Sequence, residues 1–401
     1  MKNSVSTSAD RTGRRVYVAR VLRVVVVGLL ATVLLNPALA GPREQAKRIH
    51  DRLAGVPPTE AVLQQMQNEI ANGNPNGAAS MAMDNVSFYN VTLKNFASPW
   101  TNRDRSVFVP LNDYVATVIG MIRDGIEFNT LLSADLAYVG TPGVVSSSPS
   151  ASNNDHFEQL ESGNISLRDD LVATTQSSIT GIPSTATAGV MTSRAASEAF
   201  FVAGTNRAMF RFTLINHMCN DMGQMHDTKL PPDRIRQDVS RSPGGDSRLY
   251  LNSCIGCHAG MDPMAQAFAY YNFDEAAGTL EYTAGSVQPK YFNNDLNFPS
   301  GFRTPDDAWE NRWRQGQNSY LGFDPTLPGN GNGAKALGEE LGNSYAFAAC
   351  QVKKVFRTVC LRDAEDAADR QRVDEITNTF RTTNYNMKQV FADSAVYCMG
   401  Q

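Results

Sequence analysis

Residues 254–258 read Cys254-Ile255-Gly256-Cys257-His258, a C-x-x-C-H pattern in which two thiols lie three residues apart and an imidazole follows directly. Thiols at this spacing match the two vinyl groups of a haem, and the thioether bonds that they form deliver the adjacent imidazole to one face of the iron. The pattern therefore predicts one covalently attached haem c. In this prediction Cys254 and Cys257 are the attachment residues, and His258 is the proximal iron ligand.

Other uses of two cysteines at this spacing fit the sequence less well. A thioredoxin-like redox pair lies between a strand and a helix, and it gains nothing from the adjacent histidine. A zinc site needs a further ligand cluster, yet the chain has no second C-x-x-C and no H-x-x-x-H. Haem attachment is therefore the favoured interpretation, with a redox pair and a zinc site as alternatives.

The N-terminus has the pattern of a secretory signal peptide. An apolar run of 12 residues from Val24 to Leu35 precedes Ala38-Leu39-Ala40, an A-x-A cleavage pattern. The run itself follows five arginines, namely Arg11, Arg14, Arg15, Arg20 and Arg23. Because a bilayer core takes about twenty apolar residues to cross, we expect cleavage after Ala40 and no permanent membrane span. Export predicts a periplasmic, secreted or cell-envelope protein of a Gram-negative bacterium.

Composition and charge restrict the partners. The 401 residues are 42% hydrophobic and 19% charged, which is typical of a globular protein. Removing residues 1–40 takes away six positive groups and one negative group, so the formal net charge changes from −4 to −9. No basic segment interleaved with aromatic residues remains, which argues against nucleic acid as a partner. The partners that we expect are the haem-attachment machinery and a redox protein that the sequence does not identify.

The mature chain reads as helices joined by irregular loops, which predicts a mainly α fold with a helical haem-binding core. We divide it into an N-terminal helical region (41–145), a helical region that carries the motif (155–275), and an irregular wrap followed by three helices (276–401). Apolar residues at spacings of three and four predict helices over 43–71 with a break at Pro57-Pro58, Tyr114–Arg123, Ile126–Leu132, Ser193–Met222, Pro263–Tyr271, Ser344–Cys360, Asp366–Thr382 and Asn386–Tyr397. We expect Gly73–Ala79 to be a loop and Phe88–Val109 to be extended or irregular.

The four remaining cysteines are expected to form two disulfides, because free thiols are rare in an oxidising compartment. Cys350 and Cys360 lie ten residues apart in one predicted helix. Ten residues of helix span about 15 Å, which is too far for a bond between them. An up-down-up arrangement of the last three helices brings Cys398 beside Cys360 and leaves Cys350 for Cys219. We therefore predict the disulfides Cys360–Cys398 and Cys219–Cys350.

The segment from Cys254 to Glu275, CIGCHAGMDPMAQAFAYYNFDE, resembles the C-x-x-C-H-x-x-M/I-D-P-x-G-F-A-L-x-N-F-D signature of secreted mono-haem c-type cytochrome-like proteins. These proteins are typical of planctomycetes and proteobacteria, and the family is largely uncharacterised. Weaker likenesses occur at Ile49–Pro58, Asp124–Val139, Gly189–Ser193 and Asn206–Cys219. The resemblance implies a mainly helical fold with one haem, and it implies no substrate.

Two features depart from the family pattern. Ala265-Gln266 stands where the family has Gly-Phe. A histidine that the family often has shortly before the first haem cysteine is absent from the segment Arg241 to Ser253. No axial role is therefore carried over from that histidine.

The ligand on the other face of the iron decides the function. A nitrogen or sulfur ligand there gives an electron carrier, because the iron then changes oxidation state with little rearrangement. An open position lets peroxide, oxygen or another small ligand reach the iron, as in a peroxidase-like or oxidase-like enzyme or a sensor. A third hypothesis is a secreted structural or binding protein in which the covalently attached haem only stabilises the fold. We expect an electron carrier rather than a catalyst.

Residues 217–226 contain two imidazoles and three thioethers, more soft ligands than any other segment. From this segment we select Met222, Met225 and His226 as candidates for the distal ligand, with Met387 and Met399 as alternatives. Methionine is more often a core filler than a ligand, so Met218 is expected to lie in the core. The other histidines have structural expectations: His217 at a helix end, and His50 and His156 on the surface.

Overall fold

Helices make up most of the protein in the computed structural model, which describes residues 40–202, 204–291, 295–296 and 299–400. These residues contain 15 α-helices and six short strands, so the predicted mainly α fold is confirmed. Pro42–Met399 form one compact unit, to which all three predicted regions of the mature chain contribute. The predicted signal peptide lies outside the described residues, apart from its last residue, Ala40.

The α-helices are α1 (Pro42–Ala54), α2 (Glu60–Ala71), α3 (Pro75–Met83), α4 (Lys94–Ala97), α5 (Asp113–Asp124), α6 (Asp155–Ser162), α7 (Gln176–Thr180), α8 (Arg194–Phe200), α9 (Arg207–Thr213), α10 (Ser247–Leu249), α11 (Ile255–Ala265), α12 (Gly333–Gly342), α13 (Tyr345–Cys360), α14 (Ala367–Thr382) and α15 (Met387–Tyr397). Tighter or wider helical turns lie at Phe88–Leu93, Ser98–Thr101, Phe128–Leu132, Gly189–Thr192, Leu214–Met218, Pro243–Gly245, Tyr250–Cys254, Gln266–Phe268, Arg312–Arg314 and Gly316–Leu321.

The strands form three small antiparallel ribbons. They are β1 (Ala137–Gly140) with β2 (Leu171–Thr174), β3 (Tyr271–Asp274) with β4 (Thr279–Tyr282), and β5 (Ala308–Glu310) with β6 (Asn330–Asn332). In register, Ala137 faces Thr174, Tyr271 faces Tyr282 and Ala308 faces Asn332. A two-stranded ribbon cannot form a core layer alone, so the helices carry the core.

The last three helices confirm the prediction closely. Each begins one residue later than predicted, because Ser344, Asp366 and Asn386 are N-caps that precede the helix. The side chain of each cap accepts a hydrogen bond from a backbone N–H of the first turn, which satisfies a donor that the helix leaves free.

Two predictions for the N-terminal region were wrong. Phe88–Thr101 is a run of helical turns rather than extended chain, although 102–109 is irregular. The expected loop at Gly73–Ala79 contains the start of α3, since Asn74 caps the helix and Pro75 occupies its first turn. Proline is favoured there because its fixed φ suits the helix and the missing N–H needs no partner.

Two predictions around the motif also differ from the structure. The helix expected over Ser193–Met222 is broken between α8 and α9, where Gly204 and Asn206 have φ angles of 60° and 57°. Left-handed residues of this kind end a helix. The helix expected over Pro263–Tyr271 instead begins before the motif, and Tyr271 already belongs to β3.

The prediction that His50 and His156 lie on the surface was wrong, because both side chains are buried. His50 is 1% exposed, and its Nδ1 lies 2.8 Å from the carbonyl oxygen of Val56. His156 is 3% exposed, and its Nε2 accepts a hydrogen bond of 2.9 Å from the backbone N–H of Gly140. Both imidazoles therefore bond to backbone groups of neighbouring segments, a role that residue spacing does not reveal.

The two predicted disulfides are confirmed. Cys219 is bonded to Cys350 with a Cα–Cα distance of 5.2 Å, and Cys360 is bonded to Cys398 with one of 5.4 Å. The first disulfide connects α13 to the chain just after the turn Leu214–Met218, against which α13 packs. The second joins the ends of α13 and α15.

In the described part of the chain, no helix has the length and apolar composition that crossing a bilayer requires.

Replacing Cys360 and Cys398 together by Ala tests the contribution of the second disulfide. The bond spans 38 residues of chain, and loop entropy for that length predicts a loss of about 4 kcal/mol in the free energy of unfolding. Urea unfolding without reductant, compared with the wild type, measures the loss. Peptide mapping must still recover the Cys219–Cys350 pair in the variant, and a loss below about 1 kcal/mol would contradict the prediction.

Candidate haem-attachment site

The C-x-x-C-H pentad lies inside a continuous helical run, residues 247–265, which we call the motif helix. It begins after Asp246, an N-cap whose carboxylate accepts a 2.9 Å hydrogen bond from the backbone N–H of Arg248. It comprises α10, a π-helical turn at Tyr250–Cys254, and α11. Such π turns inside α-helices occur frequently at functional sites.

The predicted haem residues share one stripe of the motif helix. With 3.6 residues per turn, Cys254, Cys257 and His258 occupy positions i, i+3 and i+4, which face the same side. Cys254 and Cys257 are partly exposed, and the His258 side chain is 21% exposed. The structure therefore brings both thiols and the imidazole together at the surface.

The two thiols lack the properties of a reactive redox pair. They are not bonded to one another, and they lie two turns inside the helical run rather than at its N-terminus, where a helix dipole would stabilise a thiolate. Burial, together with the nearby Cys254 and Asp221, raises the pKa of the Cys257 thiol. The position of the pair inside the helical run is therefore unlike that of a thioredoxin-like motif.

On the opposite side of the motif helix, two glycines allow close packing against other parts of the protein. A Cβ on Gly256 would lie 2.7 Å from Nε2 of His226, and a Cβ on Gly260 would lie 2.7 Å from Cε2 of Trp313 and nearer still to Nε1. Trp313 is completely buried. The spacing of four residues places both glycines on one face, so they let an imidazole and an indole contact the helix backbone.

Residues 222–227 dock along the motif helix. The backbone N–H of Asp227 donates a 3.0 Å hydrogen bond to the carbonyl of Gly256. The thiol of Cys257 donates to the carbonyl of Met222, with a sulfur–oxygen distance of 3.4 Å. The disulfide at Cys219 anchors the segment three residues before Met222.

The three candidates for the distal ligand belong to the segment that docks along the motif helix. Met222 and Met225 pack in the main hydrophobic core and are 9% and 0% exposed. His226 contacts Gly256, which is about 160° around the helix from His258 at 100° per residue. The segment therefore lies beside the motif helix, and a distal-ligand role for one of its side chains stays a prediction. Met387 is likewise buried, at 1% exposure.

The buried carboxylate of Asp262 supports His258 from the next turn of the helix. Nδ1 of His258 lies 3.1 Å from Oδ1 of Asp262, whose side chain is fully buried. An ionised carboxylate can only accept, so Nδ1 donates the proton in this pair and Nε2 keeps a lone pair that is available to a metal.

Two arginines hold that carboxylate in its charged form. Arg207 donates from Nε and Nη2 at 2.7 and 2.9 Å, and the backbone N–H of Arg236 donates at 3.2 Å. Burial alone would raise the pKa of Asp262, but the guanidinium groups of Arg207 and Arg236 hold it well below the usual range. Arg207 is in turn bound in a bidentate ion pair to Asp238 at 2.8 Å.

Asp262, Arg207 and Arg236 were not recognised as functional residues in the sequence. The signal for Asp262 was present, because it follows His258 by four residues and a helix places such residues side by side. The arginines carry no comparable signal, since Arg207 lies 55 residues before its partner.

The residues present fit a covalently attached haem. Two unpaired thiols share one exposed stripe with an imidazole whose second nitrogen is already bonded. Leu249 and Leu251, one turn before Cys254, are 49% and 54% exposed, so apolar surface is available there for the macrocycle to cover. In the described residues, the motif included, no three His, Cys, Asp or Glu side chains form a cluster that could hold a metal ion by themselves. That finding does not bear on haem, whose porphyrin supplies four of the iron ligands.

Replacing Gly260 by Ala tests the close packing behind the motif. Alanine favours a helix over glycine by about 1 kcal/mol, whereas overpacking a core costs about 1–3 kcal/mol. Because Trp313 is completely buried, we expect the clash to prevail and the free energy of unfolding to fall by about 1–2 kcal/mol in urea unfolding. Gly223→Ala is the matched control, since a Cβ there meets no atom within 4 Å. Equal stability of the two variants would contradict this account of the packing.

Comparisons of the chain with models of known protein families, with curated protein sequences and with solved structures find no match.

Proposed function

We propose that this chain is an exported c-type cytochrome that carries one covalent haem and transfers electrons in the periplasm. The observation that carries the proposal is the stripe of the motif helix. Two unpaired thiols and an imidazole lie on it at the spacing that haem attachment requires, and the imidazole is held by a buried carboxylate. The resemblance of Cys254–Glu275 to secreted mono-haem proteins supports the same conclusion.

In this proposal each residue has a separate task. Cys254 and Cys257 hold the macrocycle through thioether bonds, and His258 presents Nε2 to the iron. Asp262 fixes the ring orientation and tautomer of His258 through Nδ1. The bound haem supplies a metal centre that alternates between the ferric and ferrous states.

The packing of the motif helix suits a carrier, because electron transfer needs a site that rearranges little. The imidazole of His226 and the indole of Trp313 contact its backbone at Gly256 and Gly260. The carboxylate of Asp262 ties the same helix to Arg207 on α9. These contacts hold the iron ligand in one position whichever oxidation state the metal has.

The disulfides support the proposed location. Disulfides persist in oxidising compartments such as the periplasm and are rare in the cytosol. Both pairs in this chain have Cα–Cα distances within the range of a bonded pair. Haem attachment outside the cytoplasm agrees with the signal-peptide pattern of residues 1–40.

A second candidate is a haem enzyme of peroxidase or oxidase type, or a sensor, in which a small ligand reaches the iron. The observation that favours it is the position of Met222, Met225 and His226. Two of these side chains are in the core, and the third contacts the far face of the motif helix. If these side chains kept their places when haem is bound, a position on the iron would be left for a small ligand.

Mass spectrometry of the mature protein tests the cofactor. After expression with the haem-attachment machinery, the proteolytic peptide that contains Cys254 and Cys257 should carry the added mass of one haem. The double variant Cys254→Ala, Cys257→Ala should lose both this mass and the Soret absorption. The double variant Cys360→Ala, Cys398→Ala is the control and should retain the haem. A wild-type peptide without added mass would overturn the proposed function.

Carbon monoxide separates the two candidate functions. A carrier with both axial positions filled should show no change in the absorption spectrum of the reduced protein when the gas is added. Prompt formation of a carbon monoxide complex would instead favour the enzyme or sensor. The haem-free Cys254→Ala, Cys257→Ala variant gives the baseline for absorption changes that do not come from haem.

A further inference from the structure

Asp262 forms a hydrogen bond directly with His258, the proposed iron ligand, so its role is not limited to stabilising the fold. Its Oδ1 accepts both the Nδ1 proton of His258 at 3.1 Å and the Nε proton of Arg207 at 2.7 Å. The side chain has no exposed surface, so the hydrogen bond to His258 does not compete with water. A charge-assisted hydrogen bond in a dry environment is stronger than a neutral one.

We propose that Asp262 is a positioning residue that lowers the reduction potential of the haem iron by increasing the electron donation of His258. This inference rests on the proposed function. A histidine that donates its second ring proton to a carboxylate becomes a more basic metal ligand. A more basic ligand stabilises the ferric over the ferrous state, and second-shell hydrogen bonding is one of the means by which a protein sets the potential.

The two arginines limit the effect of Asp262 on the electron donation of His258, and they hold the carboxylate in one orientation. Arg207 and the backbone N–H of Arg236 share the carboxylate with His258, so only part of its negative charge acts on the imidazole. Asp238 compensates Arg207 on its other side through two hydrogen bonds of 2.8 Å. His258 therefore meets a carboxylate whose orientation is fixed by donors from Arg207 on α9 and from the backbone of Arg236.

The test is the midpoint potential of Asp262→Asn compared with Asp238→Asn. Both substitutions remove one carboxylate from the group around Arg207, but only the first replaces the charged acceptor of His258. We expect Asp262→Asn to raise the equilibrium constant for reduction at least tenfold more than Asp238→Asn does. For a one-electron couple a tenfold change corresponds to about 59 mV. Equal shifts in two variants that both carry haem would overturn the inference and leave the proposed function standing.

A measurement on the wild type covers the case in which Asp262→Asn fails to fold. Removing one partner of a buried ion pair commonly lowers the free energy of unfolding by about 3–5 kcal/mol, which is enough to unfold a marginally stable protein. In the reduced, diamagnetic protein, or in its carbon monoxide complex if one forms, we label histidine with ¹⁵N and record the ring N–H signals. The Nδ1 proton of His258 should be shifted downfield and protected from exchange with water. Loss of that signal through rapid exchange would overturn the inference. Absence of haem from the wild type would overturn the proposed function, and the inference with it.

Discussion

The carboxylate of Asp262 joins three parts of the chain that are distant in sequence. It accepts hydrogen bonds from His258 on the motif helix, from Arg207 on α9 and from the backbone of Arg236. Removing a charged carboxylate from water costs several kcal/mol, and this cost is offset only when the partners are charged and well aligned. Arg207 meets both conditions, since it donates two hydrogen bonds to the carboxylate. The orientation of the proposed iron ligand therefore depends on the correct packing of segments that lie 26 and 55 residues from Asp262 in the sequence.

A second constraint acts on the other side of the motif helix. Gly256 and Gly260 remove the side chains that would otherwise keep His226 and Trp313 away from the helix backbone. The disulfide of Cys219 then ties the segment that carries His226 to α13, which is largely buried. Because the motif helix is held from behind by rigid groups and from the side by an ion pair, its exposed stripe is the face that remains for a cofactor.

The sequence predicted the elements whose cause is local. The helices α13, α14 and α15 were predicted to within one residue, because their apolar residues are regularly spaced and each starts at a capping side chain. The disulfides followed from the same three helices by simple geometry. The predicted attachment residues stay a prediction, which rests on a spacing that haem chemistry requires and that the fold alone does not explain.

The errors arose where distant residues decide the local structure. Phe88–Leu93 is rich in aromatic and β-branched residues, which favour strands, yet it is helical because Phe88, Tyr89 and Leu93 are buried in the main core. The partners of Asp262 were missed for the same reason, since nothing near Arg207 in the sequence indicates a carboxylate 55 residues away.

The segment that supplies the distal-ligand candidates shows that residue type alone does not decide where a soft side chain lies. Residues 217–226 are rich in thioethers and imidazoles, but methionine is flexible and apolar and is therefore drawn into the core, as Met218, Met222 and Met225 are. His217 is also buried, with its Nε2 2.6 Å from the hydroxyl of Tyr114. What the described residues do fix closely is the surroundings of His258, where one imidazole, one carboxylate and two arginines are held by hydrogen bonds. The protein therefore determines the orientation of the His258 ring through buried partners.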